Sequence, residues 1–85
     1  MTPQEIIEAL REENPDALLA DGFDAALVGI ARRCGQPSLA VYSIVKCAVL
    51  IMKRDGLCKA DAIEYLEFNS IGAWLGPYTP VWLWT

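Results

Sequence analysis

Apolar residues recur along this chain at two different spacings, and the switch between them predicts its elements. Ile6, Ile7 and Leu10 fall on one helical stripe, with Glu8, Glu12 and Glu13 outside it. Thr2-Pro3-Gln4-Glu5 precedes the stripe as a capping box with proline at the first helical position, so a hydroxyl and a carboxylate serve amides that the first turn leaves unpaired. The helix is expected to stop at Asn14-Pro15, because a residue before proline avoids the αR region. Asn14, Pro15 and Asp16 are expected to cap a short second turn through Leu19, broken at Asp21-Gly22.

Ala26 to Arg33 fits both periods. Leu27, Ile30 and Ala31 suit a helix, whereas Val28 and Ile30 alternating with Gly29 suit a strand. The turn cluster Cys34-Gly35-Gln36-Pro37, followed by Ser38-Leu39-Ala40-Val41-Tyr42, favours the strand and makes the pair a hairpin with a four-residue loop. Ser43 then caps a helix from Ile44 to Arg54, apolar nearly all round, which Asp55-Gly56 ends. A third helix is expected from Lys59 to about Ala73, with Ala62, Leu66, Asn69 and Ala73 on one stripe. Val81 to Trp84 follows Pro80 as a last, edge strand, since proline sits only where no ladder donor is required. The fold expected is α+β: a single domain over residues 1–85, with three helices packed on a two- or three-stranded antiparallel sheet. A mostly α-helical chain is the alternative.

Length and composition narrow the class. The chain has 85 residues, 54% of them apolar and 21% charged, a balance that offsets chain entropy by burial and excludes disorder. Area scaling at 9.4 kDa gives about 5,000 Å² of folded surface, enough for one modest core. The net charge of −4 disfavours direct nucleic-acid binding, which needs cations to replace condensed counterions. Charge is also segregated: residues 1–30 hold one cation against seven anions, residues 31–60 six against one, and residues 61–85 none against three.

No membrane span is expected. Phe68 to Thr85 is uncharged, but Gly72, Gly76, Pro77 and Pro80 would leave backbone groups unpaired in hydrocarbon. Met1 to Glu13 carries four Glu and no apolar run, unlike a signal peptide, so reduced thiols in a cytoplasm are expected. Cys34, Cys47 and Cys58 are too far apart for a metal clamp and odd in number, and each reads as a small buried hydrophobe.

Histidine is absent, which removes the commonest general base and metal ligand. Glu64 and Glu67 beside Asp61 are the carboxylates best spaced for acid/base or Mg²⁺ chemistry, and nothing else supports that role. There is no GxxxxGK[ST], GxGxxG or GxSxG. The helix-turn-helix-like stretch Met52 to Phe68 has only Lys59 as a cation on its second helix. The chain is expected not to be an enzyme and to carry no cofactor and no metal.

Two residue groups suit contact with a partner. Glu5, Glu8, Glu12, Glu13 and Asp16 present carboxylates at helical spacing, a face that fits a basic groove and equally describes any solvated helix. Six of eight aromatics fall after residue 64, and of these Trp74, Tyr78, Trp82 and Trp84 are candidate contact residues, because aromatics bury much area at little rotamer cost. The same residues would also serve to finish a small core. An edge strand ending Trp82-Leu83-Trp84 further invites pairing with a second copy, so a homodimer is a side expectation. For the alternative reading, a small-ligand or nucleotide-binding module, the candidates are Glu67, Asn69, Lys46 and Lys53.

Asp21-Gly22-Phe23-Asp24-Ala25-Ala26-Leu27-Val28-Gly29, Gly35-Gln36-Pro37 and Arg54-Asp55-Gly56-Leu57 form a joint pattern with Glu64-Tyr65-Leu66-Glu67-Phe68-Asn69, Gly72-Ala73-Trp74-Leu75-Gly76 and Thr79-Pro80. Over about residues 21–83 this resembles a family of small proteins encoded by bacteriophages and prophages. The resemblance implies a viral origin and no particular chemistry; Cys58 stands where that family usually has Ser or Thr. Acidic balance, small size, missing catalytic groups and late aromatics together point to an accessory protein that binds a host protein stoichiometrically. An inhibitor of a host nucleic-acid-handling defence complex, anti-CRISPR-like, is the form expected.

Overall fold

Thr2 opens the first helix as its neighbours predict. In the computed structural model, which describes residues 1–85, the Thr2 hydroxyl accepts from the Glu5 amide at 3.2 Å and the Glu5 carboxylate accepts from the Thr2 amide at 3.0 Å. Helix α1 runs Pro3–Glu13 and turns Ile6 and Leu10 into the interior. The second turn expected after it is a single turn over 14–17 and does not run on to Leu19. Asn14 folds the chain into an Asx-type turn, its side-chain oxygen accepting from Asp16 and its amide donating to the Ser38 carbonyl at 2.9 Å. The buried Asn14 side chain thus adds a long-range hydrogen bond to its local one.

Within 26–33 the chain forms a strand over Leu27–Ala31 and no α-helix. After a 3₁₀ turn over Asp24–Ala26 come β1 (Leu27–Ala31) and β2 (Leu39–Ser43), paired antiparallel. The register slips by one between Leu27 and Gly29, so Val28 is a bulge. The loop is seven residues, 32–38, and not four, because Arg32, Arg33 and Ser38 leave the ladder. Ser43 ends β2 and caps α2 (Ile44–Asp55), its hydroxyl accepting from the Lys46 amide at 3.1 Å and donating to the Thr85 carbonyl at 2.9 Å. Gly56 closes α2 at φ 69°, a conformation costly for other residues, with its amide on the Met52 carbonyl.

The third helix is shorter than its stripe suggests. Helix α3 covers Lys59–Leu66, and the chain then widens into a π-helical turn over Glu67–Ile71. The extra residue in that turn rotates Asn69 off the buried stripe into solvent, where its amide donates to the Tyr65 carbonyl at 3.0 Å. Strand β3 (Val81–Leu83) joins the sheet beside β2, order β1-β2-β3, pairing parallel to β2 and not antiparallel. The sheet is therefore mixed. Two helices separate β2 from β3, long enough to carry the chain back to the start of β2 and run it forward again.

Helices α1 and α2 pack on one face of this sheet, and α3 packs on α2 and not on the sheet itself. Leu27, Ala40 and Tyr42 join Ile6, Leu10, Phe23, Ile44, Cys47, Ala48, Ile51, Ala62 and Leu66 in one core, with Ile30 and Trp82 packed against it. Trp82 lies on Tyr42, ring centroids 5.4 Å apart. Of the cysteines only Cys47 is buried; Cys34 sits in the hairpin loop and Cys58 at the start of α3, both exposed. Local geometry put them there, one in a turn and one at a helix cap. The radius of gyration is 12.9 Å against about 11.9 Å for an average chain of this length, and the 5416 Å² surface exceeds the scaling expectation in the same sense. No helix is long and apolar enough to cross a membrane.

Candidate interaction surface

Strand alternation assigns the opposite sheet face. Leu39, Val41, Val81 and Leu83 share it with Gly29 and Ala31, since Ala31 pairs with Leu39, Gly29 with Val41, and Val41 with Val81. None of these six belongs to the core. An antiparallel pair with one wet face ordinarily alternates apolar and polar residues; here both faces are apolar.

Two loops rise over this open face. The hairpin loop contributes Arg32, Arg33, Gln36 and Pro37, and the 72–80 loop contributes Pro77, enclosing a cavity of about 280 Å³ floored by Ala31, Leu39 and Val81. A neighbouring hollow of about 290 Å³ joins Leu39 and Val81 to Trp74, Thr79 and Pro80. The two share Leu39 and Val81 and so form one continuous surface. Thr79 braces the second loop, its hydroxyl accepting from the Leu75 amide at 2.9 Å and donating to the Gly76 carbonyl at 2.7 Å. The Tyr78 carbonyl accepts from the Leu18 amide at 3.1 Å, tying the loop to the segment after α1.

Large apolar groups stand in water on this loop and just after β3. Trp74 is 76% exposed, Leu75 70% and Trp84 62%. With aromatic side chains carrying about 150–250 Å² each, the two tryptophans alone leave roughly 300 Å² exposed. Phe68, 85% exposed, borders a separate hollow with Leu57, Tyr65, Asp61 and Glu64. The open face is not among the surfaces that spacing and composition point to. Its signal was present, since Leu39-Ala40-Val41-Tyr42 is apolar on both parities.

The candidate residues separate into distinct places. Glu5 is held in the capping box, and the hydrogen bond from the Thr2 amide, with that from its hydroxyl, draws its carboxyl below the ordinary value of 4.5. Glu8 accepts from Gln4, and Glu13 pairs with Arg32 and accepts from the Ser38 hydroxyl at 3.3 Å. Glu12 and Asp16 are exposed. Trp74 and Trp84 face solvent, Tyr78 is half-buried, and Trp82 packs on the core, its Nε1 the one buried side-chain polar atom without a hydrogen-bond partner. Among Glu67, Asn69, Lys46 and Lys53, only Asn69 borders a cavity, about 230 Å³, with Leu19, Phe23, Ser70 and Trp82; the other three are exposed elsewhere. The four do not converge. Asp61, Glu64 and Glu67 do not form a group able to hold a metal ion.

No family model, no curated protein and no solved structure gives a significant match to this chain.

Proposed function

We propose that this protein acts by stoichiometric contact with a protein partner, made by the open sheet face and the aromatic loop beside it. The observation carrying this reading is Trp74, three-quarters exposed on a loop braced by Thr79 and continuous with an apolar sheet face that no helix covers. Contiguous apolar surface of this kind, rimmed by polar groups, marks interaction sites. Tryptophan is also the residue most enriched where contacts dominate affinity.

The finer reading rests on other supports. Similarity to small phage and prophage proteins supports a host protein, in the host cytoplasm, as the partner. The carboxylates of α1 support a partner with a groove built for phosphates, hence inhibition of a nucleic-acid-handling defence complex. Incubating immobilised protein with host lysate expressing such complexes tests this. The expected result is a retained nuclease or defence component that nucleic acid displaces, and that the Trp74→Ala variant retains at least about tenfold less, as a contact worth over 1.4 kcal/mol requires. Retention of nothing, or retention indifferent to Trp74, overturns the reading. Sedimentation of the purified chain separates it from pairing of the β3 edge with a second copy.

A further inference from the structure

The cavity on the open face has a chemical asymmetry. Its floor of Ala31, Leu39 and Val81 is aliphatic, and Pro37 from the hairpin loop and Pro77 from the 72–80 loop complete its apolar lining. Its rim carries two cations, in a chain of net charge −4. Arg32 is neutralised by Glu13. Arg33 lines the cavity, is exposed and forms no ion pair; its backbone carbonyl accepts from the Gln36 amide at 2.9 Å.

An occupant must complement both parts. A nucleobase gains most from aromatic stacking, and this cavity has no aromatic wall. A polyphosphate needs several cations, and one is uncommitted. A carboxylate side chain beside an apolar one meets the requirement, because a guanidinium binds carboxylate through two parallel hydrogen bonds while the aliphatic floor takes the neighbouring residue. About 280 Å³ lies near the lower end of ligand-site volumes, suited to one or two side chains.

Resting on the reading of the chain as a protein-binding module, we propose that this cavity receives an acidic segment of the partner, with an apolar residue seated on Leu39 and Val81 and an adjoining Asp or Glu paired with Arg33.

A displayed library of random hexapeptides panned against the full chain tests the assignment. The expected selection is enriched in Asp or Glu next to an apolar residue. Arg33→Gln should weaken the selected peptides by up to about fivefold, the range of an exposed ion pair, and Arg33→Glu should weaken them further and shift selection towards Lys and Arg. The exposed Arg33 side chain makes no hydrogen bond or ion pair within the chain, so both variants should keep the parent melting temperature. Selected peptides without acidic residues, peptides insensitive to Arg33→Glu, no selected peptides at all, or displacement by inorganic phosphate at equal concentration would overturn it. So would an Arg33-dependent dimer in sedimentation, which makes a second copy the occupant. Retention of a host protein that needs Trp74 and ignores Arg33 would remove this inference and leave the wider reading standing.

Discussion

Replacing Tyr42 by Phe isolates one hydrogen bond on which the placement of the 17–23 segment depends. Tyr42 is fully buried, its ring packed on Trp82, and its hydroxyl accepts from the Ala20 amide at 2.8 Å. Phenylalanine keeps the ring and removes the acceptor. An amide stranded in the interior costs about 1–3 kcal/mol. Ala20 is half-buried, so the lower part of that range applies, about 1–2 kcal/mol. At about 4–8 °C per kcal/mol for a domain of this size, the melting temperature should fall by roughly 5–15 °C. Thermal unfolding followed by circular dichroism reads this directly, and hydrogen exchange should show faster exchange at Ala20. A pH series adds a second readout. Burial pushes the Tyr42 phenol above its ordinary value of 10, opposed by the Ala20 hydrogen bond, so the folded state keeps a proton that the unfolded chain releases in alkali. The parent should lose stability as pH rises past about 10, and the Phe variant should lack that component. A variant melting within about 2 °C of the parent would refute the account of the loop as tied through this hydroxyl.

Three further outcomes follow from other contacts. Iodoacetamide should label Cys34 and Cys58 in the folded chain and reach Cys47 only on unfolding, because burial pushes the Cys47 thiol up to about 11. At pH 8 that leaves about one thiolate in a thousand, and mass spectrometry of labelled peptides counts the sites. Gly72→Ala should destabilise by about 1–3 kcal/mol in urea denaturation, since a Cβ there would lie 2.7 Å from the Glu67 carbonyl that accepts the Gly72 amide across the π-helical turn. Glu5→Ala should lower stability near neutral pH, with the difference vanishing in acid. The folded-state carboxyl titrates below its ordinary 4.5, so its contribution exists above that value and is lost as pH falls through the depressed one. Melting curves from pH 2 to 7 trace the convergence.

Elements announced by local chemistry were legible before folding. The capping box at Thr2 and Glu5, the Ser43 cap and the Gly56 terminator each act within four residues, and each stands where its spacing places it. The hairpin was legible as a pair, through the turn cluster at 34–37. What failed were features set by partners distant in sequence. Asn14 keeps its local bond to the Asp16 amide, but its own side-chain amide donates to the Ser38 carbonyl 24 residues on, a tie that spacing does not announce. Asn69 leaves the helical stripe because the chain widens at Glu67–Ile71 on its way to the sheet.

The surface follows the same division. Pattern alone showed that aromatics gather late in the chain and that acidic residues gather early, because composition and spacing are properties of the string. Which tryptophan turns inward is a different matter. Trp82 packs on the core and Trp74 does not because β3 lies parallel beside β2, which sets Trp82 against Tyr42 while the preceding loop overhangs the other face. Periodicity can say that alternate residues of β2 point to opposite sides. Only the packing of α1 and α2 onto one side of the sheet, with α3 stacked on α2, makes the other an open apolar surface with Arg33 at its rim.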